Sequence, residues 1–270
     1  MRHPLPHPHR YRTAVRFITA EYLRNRTALF LLVVFVPIWY VLMVAIMPHD
    51  PVSFRFRPTG GFLSVDSQEI TVLTAGLNAI TIIVGFLIFS TTKRGISFDH
   101  RLVLCGYPQR ILLAAKLTAV AVATCAVTGY ATLVLLLFFR PESVLVVFLG
   151  LASTGIAYGA LGFLLGVLVR GELEGFFVII MVSLIDTFMQ NPVGNPLANK
   201  DVLTYFPSFG ATQAYVAGGF THMVPWDYLG VALVWPLVFI GLGMLIFARR
   251  TRVPRARPVF LAPAPQPAAR

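Results

Sequence analysis

Six apolar stretches, at 28–47, 70–91, 117–139, 144–169, 176–190 and 229–248, divide this 270-residue chain. A helix rising about 1.5 Å per residue needs about 20 apolar residues to cross roughly 30 Å of hydrocarbon. That requirement predicts an all-α integral membrane fold with six transmembrane helices. The fifth stretch is short for a crossing, so it is expected to begin earlier or to end in a broken segment. With 57% hydrophobic and only 12% charged residues, the chain could not divide itself between a water-soluble core and surface.

The basic residues orient the spans. An even number of crossings puts both termini on one side. Eighteen of the 22 Lys and Arg then share that side with them, while Arg55, Arg57, Arg140 and Lys200 lie opposite. Positive charge concentrates on the cytoplasmic face of membrane proteins, so both termini are expected inside. The net charge of +11 flanks the spans instead of forming a separate basic domain, which favours anionic lipid headgroups over nucleic acid as partners. Arginine supplies 19 of the 22 basic residues, the habit of a GC-rich genome and an indication of a bacterial plasma membrane. The first span is full length and preceded by 27 residues, so it reads as a retained anchor.

Residues 1–9 alternate prolines with His3, His7 and His9 and read as a disordered tail instead of a metal site. In 10–27, Tyr11, Val15, Ile18 and Tyr22 recur at spacings of four, three and four, with Arg10, Arg12, Arg16 and Arg24 among them. This predicts an amphipathic helix in the inner interface; a plain basic flank is the other reading. Gly155/Gly159 and Gly162/Gly166 set two GxxxG spacings in the fourth span, marking tight helix packing against a neighbour that spacing alone does not identify. Between the last two spans, 202–220 is moderately apolar but interrupted by Pro207, Gly210, Gly218 and Gly219. A re-entrant outer segment is expected there, and a basic, Pro/Ala-rich disordered tail over 249–270.

Catalytic signatures are missing. The sequence has no HExxH zinc pair and no GxSxG turn. A P-loop lysine must follow glycine, whereas Lys93, Lys116 and Lys200 follow Thr, Ala and Asn. The chain is therefore not expected to be an enzyme. Three polar residues within the spans, Asn78, Asp186 and Gln190, are candidates for a substrate pathway. A carboxylate in hydrocarbon must face protein or water, so Asp186 contacts a cation or proton, or else pairs with a neighbouring helix. The first option leads to an ion-gradient-driven secondary transporter as an alternative function. Asn78 also reads as packing glue between helices.

The inner loop 93–116 is the most informative. Lys93-Arg94-Gly95 ends the second span, and Ser97 to Leu102, including Asp99 and Arg101, is expected to form a short helix capped by Ser97. Cys105-Gly106-Tyr107-Pro108 breaks it, and Gln109, Arg110 and the residues to Lys116 resume helix. Such an element is a rigid handle on which a soluble partner can push.

In these residues the chain resembles the membrane subunits of type-2 ABC exporters, the ABC-2 permease family. Arg94-Gly95, Leu102, Gly106-Tyr107-Pro108, Arg110 and Lys116 follow that family's coupling-helix pattern in order. The likeness in topology extends from about Arg10 to Arg250. The resemblance implies a second contact at Glu172 and Glu174, whose other reading is favourable charge at a helix N-terminus. It also implies a separate ATPase, as two copies or a heterodimer, that binds ATP and Mg, with no cofactor on this chain. A second permease chain would complete an exporter of hydrophobic small molecules, drugs or lipids.

Overall fold

Helix boundaries fall where the chain supplies caps and breaks. The computed structural model describes residues 7–195 and 200–250. In it, α1 (His7–Arg24) and α2 (Arg26–Ile46) meet at Asn25. A hairpin of β1 (Pro51–Phe56) and β2 (Gly61–Asp66) leads into α3 (Ser67–Leu104). There follow α4 (Gln109–Leu135), α5 (Val144–Leu168), α6 (Glu172–Gln190), a 3-10 turn (Asp201–Tyr205), α7 (Phe209–Phe220), α8 (Trp226–Ala232) and α9 (Val234–Arg250). The disordered ends expected at 1–9 and 249–270 lie mostly outside the described residues. Where they overlap them, helix takes His7 to His9 at one end, and Arg249 and Arg250 at the other.

Five segments are long and apolar enough to cross a membrane: α2, α3, α4, α5 and the α8–α9 run Trp226–Arg249. They mark a multi-pass membrane protein whose candidate spans are all helical. The 19-residue α6 is not among them; it carries Glu172 and Glu174 in its first turn and Asp186 near its end.

Contacts radiate from α5, which packs on α3, α4, α6, α7, α8 and α9. Its glycines are the reason. A Cβ on Gly162 would strike the Gly85 carbonyl oxygen of α3, and one on Gly166 would lie 2.8 Å from Thr92 Cβ. Gly155 faces the other way, toward Thr124 and Thr128 of α4. The neighbours of both GxxxG spacings thus belong to this same chain. On α1, the expected face of Tyr11, Val15, Ile18 and Tyr22 turns inward along α4, with Arg12, Arg16 and Arg24 outward. Tyr11 hydroxyl meets Thr118 Oγ1 at 2.6 Å.

Local chemistry explains the irregular points. Asn25 accepts from Ala28 N at 3.2 Å, capping α2, and donates to Ser90 Oγ of α3 at 3.0 Å. Pro37, inside α2, has no N–H for the Val33 carbonyl, and Tyr130 hydroxyl of α4 donates to it instead at 3.2 Å. The hairpin was not foreseen, although Val52, Phe54 and Phe56 alternate inward against outward Ser53 and Arg55. Arg57 just beyond it donates to the Lys200 carbonyl at 2.9 Å and lies over the Phe209 ring, tying the hairpin to α7. The segment expected at 202–220 resolves into the 3-10 turn and α7, broken around Pro207.

Two predictions follow from these junctions. Gly162→Ala should sharply lower the yield of folded protein, because the obstacle is backbone. Gly241→Ala, where a Cβ meets nothing within 4 Å, should leave thermal unfolding within about 1 kcal/mol of wild type. Asp66 caps α3 by accepting from Gln68 N at 2.8 Å and pairs with His49 Nδ1 at 2.7 Å. His49 first, and then the backbone N–H of Gln68, hold its carboxyl below the usual carboxylate range. A depressed pKa stabilises above the ordinary value of about 4 and loses that contribution as pH falls through the folded-state value. Asp66→Asn keeps the cap but should flatten that part of the acid limb in melts run between about pH 2 and 6.

Candidate functional site

Two ends of α3 gather the residues of interest. At its C-terminus the chain turns with four residues. Gly106, at φ +84°, lets its own N–H reach Val103 O and the Tyr107 N–H reach Leu102 O, both at 3.0 Å. This pair of bonds, with Leu102 and Tyr107 against the core, is a Schellman termination. Pro108 then starts α4. No separate helix begins at Ser97. Nothing between Thr91 and Leu104 breaks the hydrogen-bond ladder, so the expected short helix is instead the last turns of α3.

The corner has an outer and an inner face. Arg94, Arg101, Gly106 and Arg110 are exposed, together with Phe98 (62% exposed) and Leu104 (54%). Leu102, Tyr107 and Pro108 are partly covered. Gly95, Asp99 and Lys116 are buried: Lys116 Nζ forms an ion pair with Asp99 Oδ2, lies 5.7 Å from the centre of the Phe247 ring of α9, and faces Gly95. Asp99 and Lys116 therefore join α3, α4 and α9 instead of facing a partner. Beside them on α1, burial raises the Glu21 carboxyl above its ordinary pKa, against the opposing pull of Lys116. Lys93 donates to the Val169 carbonyl that ends α5, bringing the α5–α6 turn alongside the corner. There Glu172 and Glu174 are exposed, and the Glu174 carboxylate folds back over Gly171 at the N-terminus of α6.

At the other end of α3, the three intramembrane candidates do not share one site. Asp186 is buried and turned toward α5 and α7. It accepts from Tyr158 hydroxyl at 2.7 Å, from Ser208 N at 3.1 Å and from Gln190 Nε2; Gln190 also donates to Ser208 Oγ at 2.8 Å. The carboxylate sits at the N-terminus of α7, where helix dipole and free N–H groups favour a negative charge. It is a tie between α5, α6 and α7. Tyr158 and Ser208 were missed from sequence, though Ser208 directly before an apolar run is a cap signal.

Asn78 faces a different space. Its Nδ2 donates to Thr187 Oγ1 at 2.9 Å, and it lines a cavity of about 630 Å³ between α2, α3 and α6. Trp39 and Met43 of α2, Met47 that caps it, Thr71 of α3, and Phe188 and Met189 of α6 share this lining. No charged side chain among the described residues does.

No family model matches the chain, and no curated protein matches it either. Any functional reading therefore rests on the two ends of α3.

The Asp186 tie gives a test of its own. Asp186→Asn places a donor where three donors converge, so it should cost about 2–3 kcal/mol of stability. Ser208→Ala keeps the backbone bond and should cost about 1 kcal/mol. Comparing thermal unfolding of the two variants checks the assignment.

Proposed function

We propose that this chain is the membrane-spanning permease of an ATP-driven exporter. It crosses the membrane six times, α6 included, with both termini in the cytoplasm and α1 in the inner interface. A separate ATPase drives it, and a second permease chain pairs with it. Hydrophobic small molecules, drugs or lipids are its cargo, and it hydrolyses no ATP itself.

The observation that carries the reading is the α3–α4 corner. At 38 residues, α3 is about 57 Å long by helical rise, nearly twice what roughly 30 Å of hydrocarbon requires. Its surplus ends in a rigid, Schellman-terminated turn whose outer face carries Arg94, Phe98, Arg101, Leu104 and Arg110 uncovered by the described residues. Apolar side chains among arginines make a seat for a soluble partner. The same unbroken helix lines the cavity at its other end through Thr71 and Asn78. A push at the corner therefore reaches the cavity without crossing a flexible joint. Mechanical coupling to an external motor needs that property. Asp186, saturated with donors, offers no comparable support for ion-driven transport.

Purification in gentle detergent from its native cells should recover a Walker-motif ATPase with this chain. Arg101→Glu and Arg110→Glu should each lower that recovery about tenfold, or about 1.4 kcal/mol. Arg55→Glu, on the hairpin beyond the opposite end of α3, should leave recovery unchanged. Absence of any ATPase from the wild-type preparation defeats the reading.

A further inference from the structure

We infer that the cavity between α2, α3 and α6 holds an acyl chain of a membrane lipid, seated from the outer leaflet. The leaflet rests on the proposed orientation, with both termini in the cytoplasm; occupancy by a chain does not depend on the ATPase.

The polar side chains of the lining are spent or turned away. Thr187 hydroxyl donates to the Ser183 carbonyl at 2.8 Å and accepts from Asn78 Nδ2 at 2.9 Å. Thr74 hydroxyl donates to the Ile70 carbonyl at 2.9 Å, and Asn191 Oδ1 accepts from the Val193 N–H at 2.9 Å. Trp39 Nε1, Thr71 Oγ1 and Asn78 Oδ1 are sealed beneath the surface, where an occupant does not touch them. The cavity therefore presents chiefly hydrocarbon, ring and thioether. Met43, Met47 and Met189 supply the thioethers, which adapt to the changing shape of a flexible chain.

Other fillings fail on these grounds. A buried water needs two to four polar partners, which such walls do not offer. A charged group would enter without a counter-charge among the described residues. At about 630 Å³ the space suits an apolar body of small-molecule size.

Position names the source. The lining begins where the helices end, at Met47 capping α2 and at Asn191 and Val193 just beyond α6. It runs down α3 from Thr71 to Asn78, which is about 10 Å by helical rise, or a third of roughly 30 Å of hydrocarbon. Leu184, Ile185 and Phe188 of α6 line it and are exposed, so it opens sideways toward lipid. A lipid whose headgroup stays at the boundary can lower a chain into this space without taking any polar group out of water. A molecule with a polar end at the bottom would strand that end unpaired.

The test uses the full-length protein in detergent micelles, without any ATPase. Trp226→Phe and Trp235→Phe leave Trp39 as the sole tryptophan of three. Phosphatidylcholine dibrominated midway along its acyl chains, which quenches tryptophan on contact, is titrated into the micelles. A companion variant adds Trp39→Phe and Ile38→Trp, moving the reporter one residue onto the exposed face of α2. Trp39 should reach half-quenching at an about tenfold lower lipid fraction than the Ile38→Trp reporter. Excess unbrominated phosphatidylcholine should restore Trp39 fluorescence, and glycerophosphocholine should not. Ala75→Leu, which places a larger side chain in the lining, should raise the half-quenching fraction of Trp39 about tenfold and leave the Ile38→Trp reporter unchanged. Half-quenching at the same fraction for both reporters would mean ordinary solvation by lipid and overturn the inference. Restoration by the headgroup alone, or by cholesterol as effectively as by phosphatidylcholine, overturns it as well. If Ala75→Leu elutes as aggregate, the comparison of the two reporters decides. Because no ATPase is present, loss of chain binding and absence of an ATPase partner are separate results.

Discussion

Every other contact in this fold hangs on the seam where α5 meets α3. In lipid, hydrocarbon side chains gain nothing by leaving one apolar surface for another, so helices associate by close packing. Gly162 provides that closeness: the backbones come so near that even one methyl group on it would strike the Gly85 carbonyl oxygen of α3. On either side of the seam, α5 presents Gly155 to α4 and Gly150 to the backbone of Tyr215 in α7. With α5 fixed in this way, α3 can be long and straight without relying on its own outer turns.

Buried charge then sets which elements move together. Asp99 with Lys116 ties the α3–α4 corner to α9 through Phe247, and Asp186 ties α7 to α5 and α6. Breaking one partner of a buried pair strands the other, so such ties behave as all-or-none links. By contrast, α2 is attached lightly: most of its surface faces outward, and Pro37 relieves its ladder by borrowing the Tyr130 hydroxyl. The cavity lies between this loosely held helix and the rigid α3, where one wall can shift relative to the other.

The sequence revealed those features that depend on periodicity and failed where only three-dimensional proximity decides. The 3.6-residue rhythm of Tyr11, Val15, Ile18 and Tyr22 predicted the inward face of α1, and the glycine spacings predicted tight packing. A charged residue gives no such signal about its partner. Asp99 and Lys116, seventeen positions apart, read from sequence as part of the coupling handle, Lys116 by its likeness to the family pattern; the turn at Gly106 brings them together instead. In the sequence Lys93-Arg94-Gly95 reads as the end of the second span, yet one glycine costs a helix only about 1 kcal/mol, which packing here outweighs. The hairpin's alternation spans only six residues per strand, short enough to be lost between two apolar spans. The cavity has no sequence signature at all, since it is the gap three helices leave.

A buried group without a partner costs about 1–3 kcal/mol, and this fold pairs its expensive ones: both buried carboxylates of the corner and the α7 tie have donors. Even the carbonyl orphaned by Pro37 finds a hydroxyl. The buried hydroxyls of Tyr40 and Tyr215 both lie against Gly76. Trp39, Thr71 and Asn78 come from two different helices and line one cavity, but their unpaired Nε1, Oγ1 and Oδ1 atoms expose no surface to it. Thr124 Oγ1 of α4 and Gln190 Oε1 at the Asp186 tie are likewise buried without a partner among the described residues, so the cost is spread across the fold instead of being gathered at the cavity.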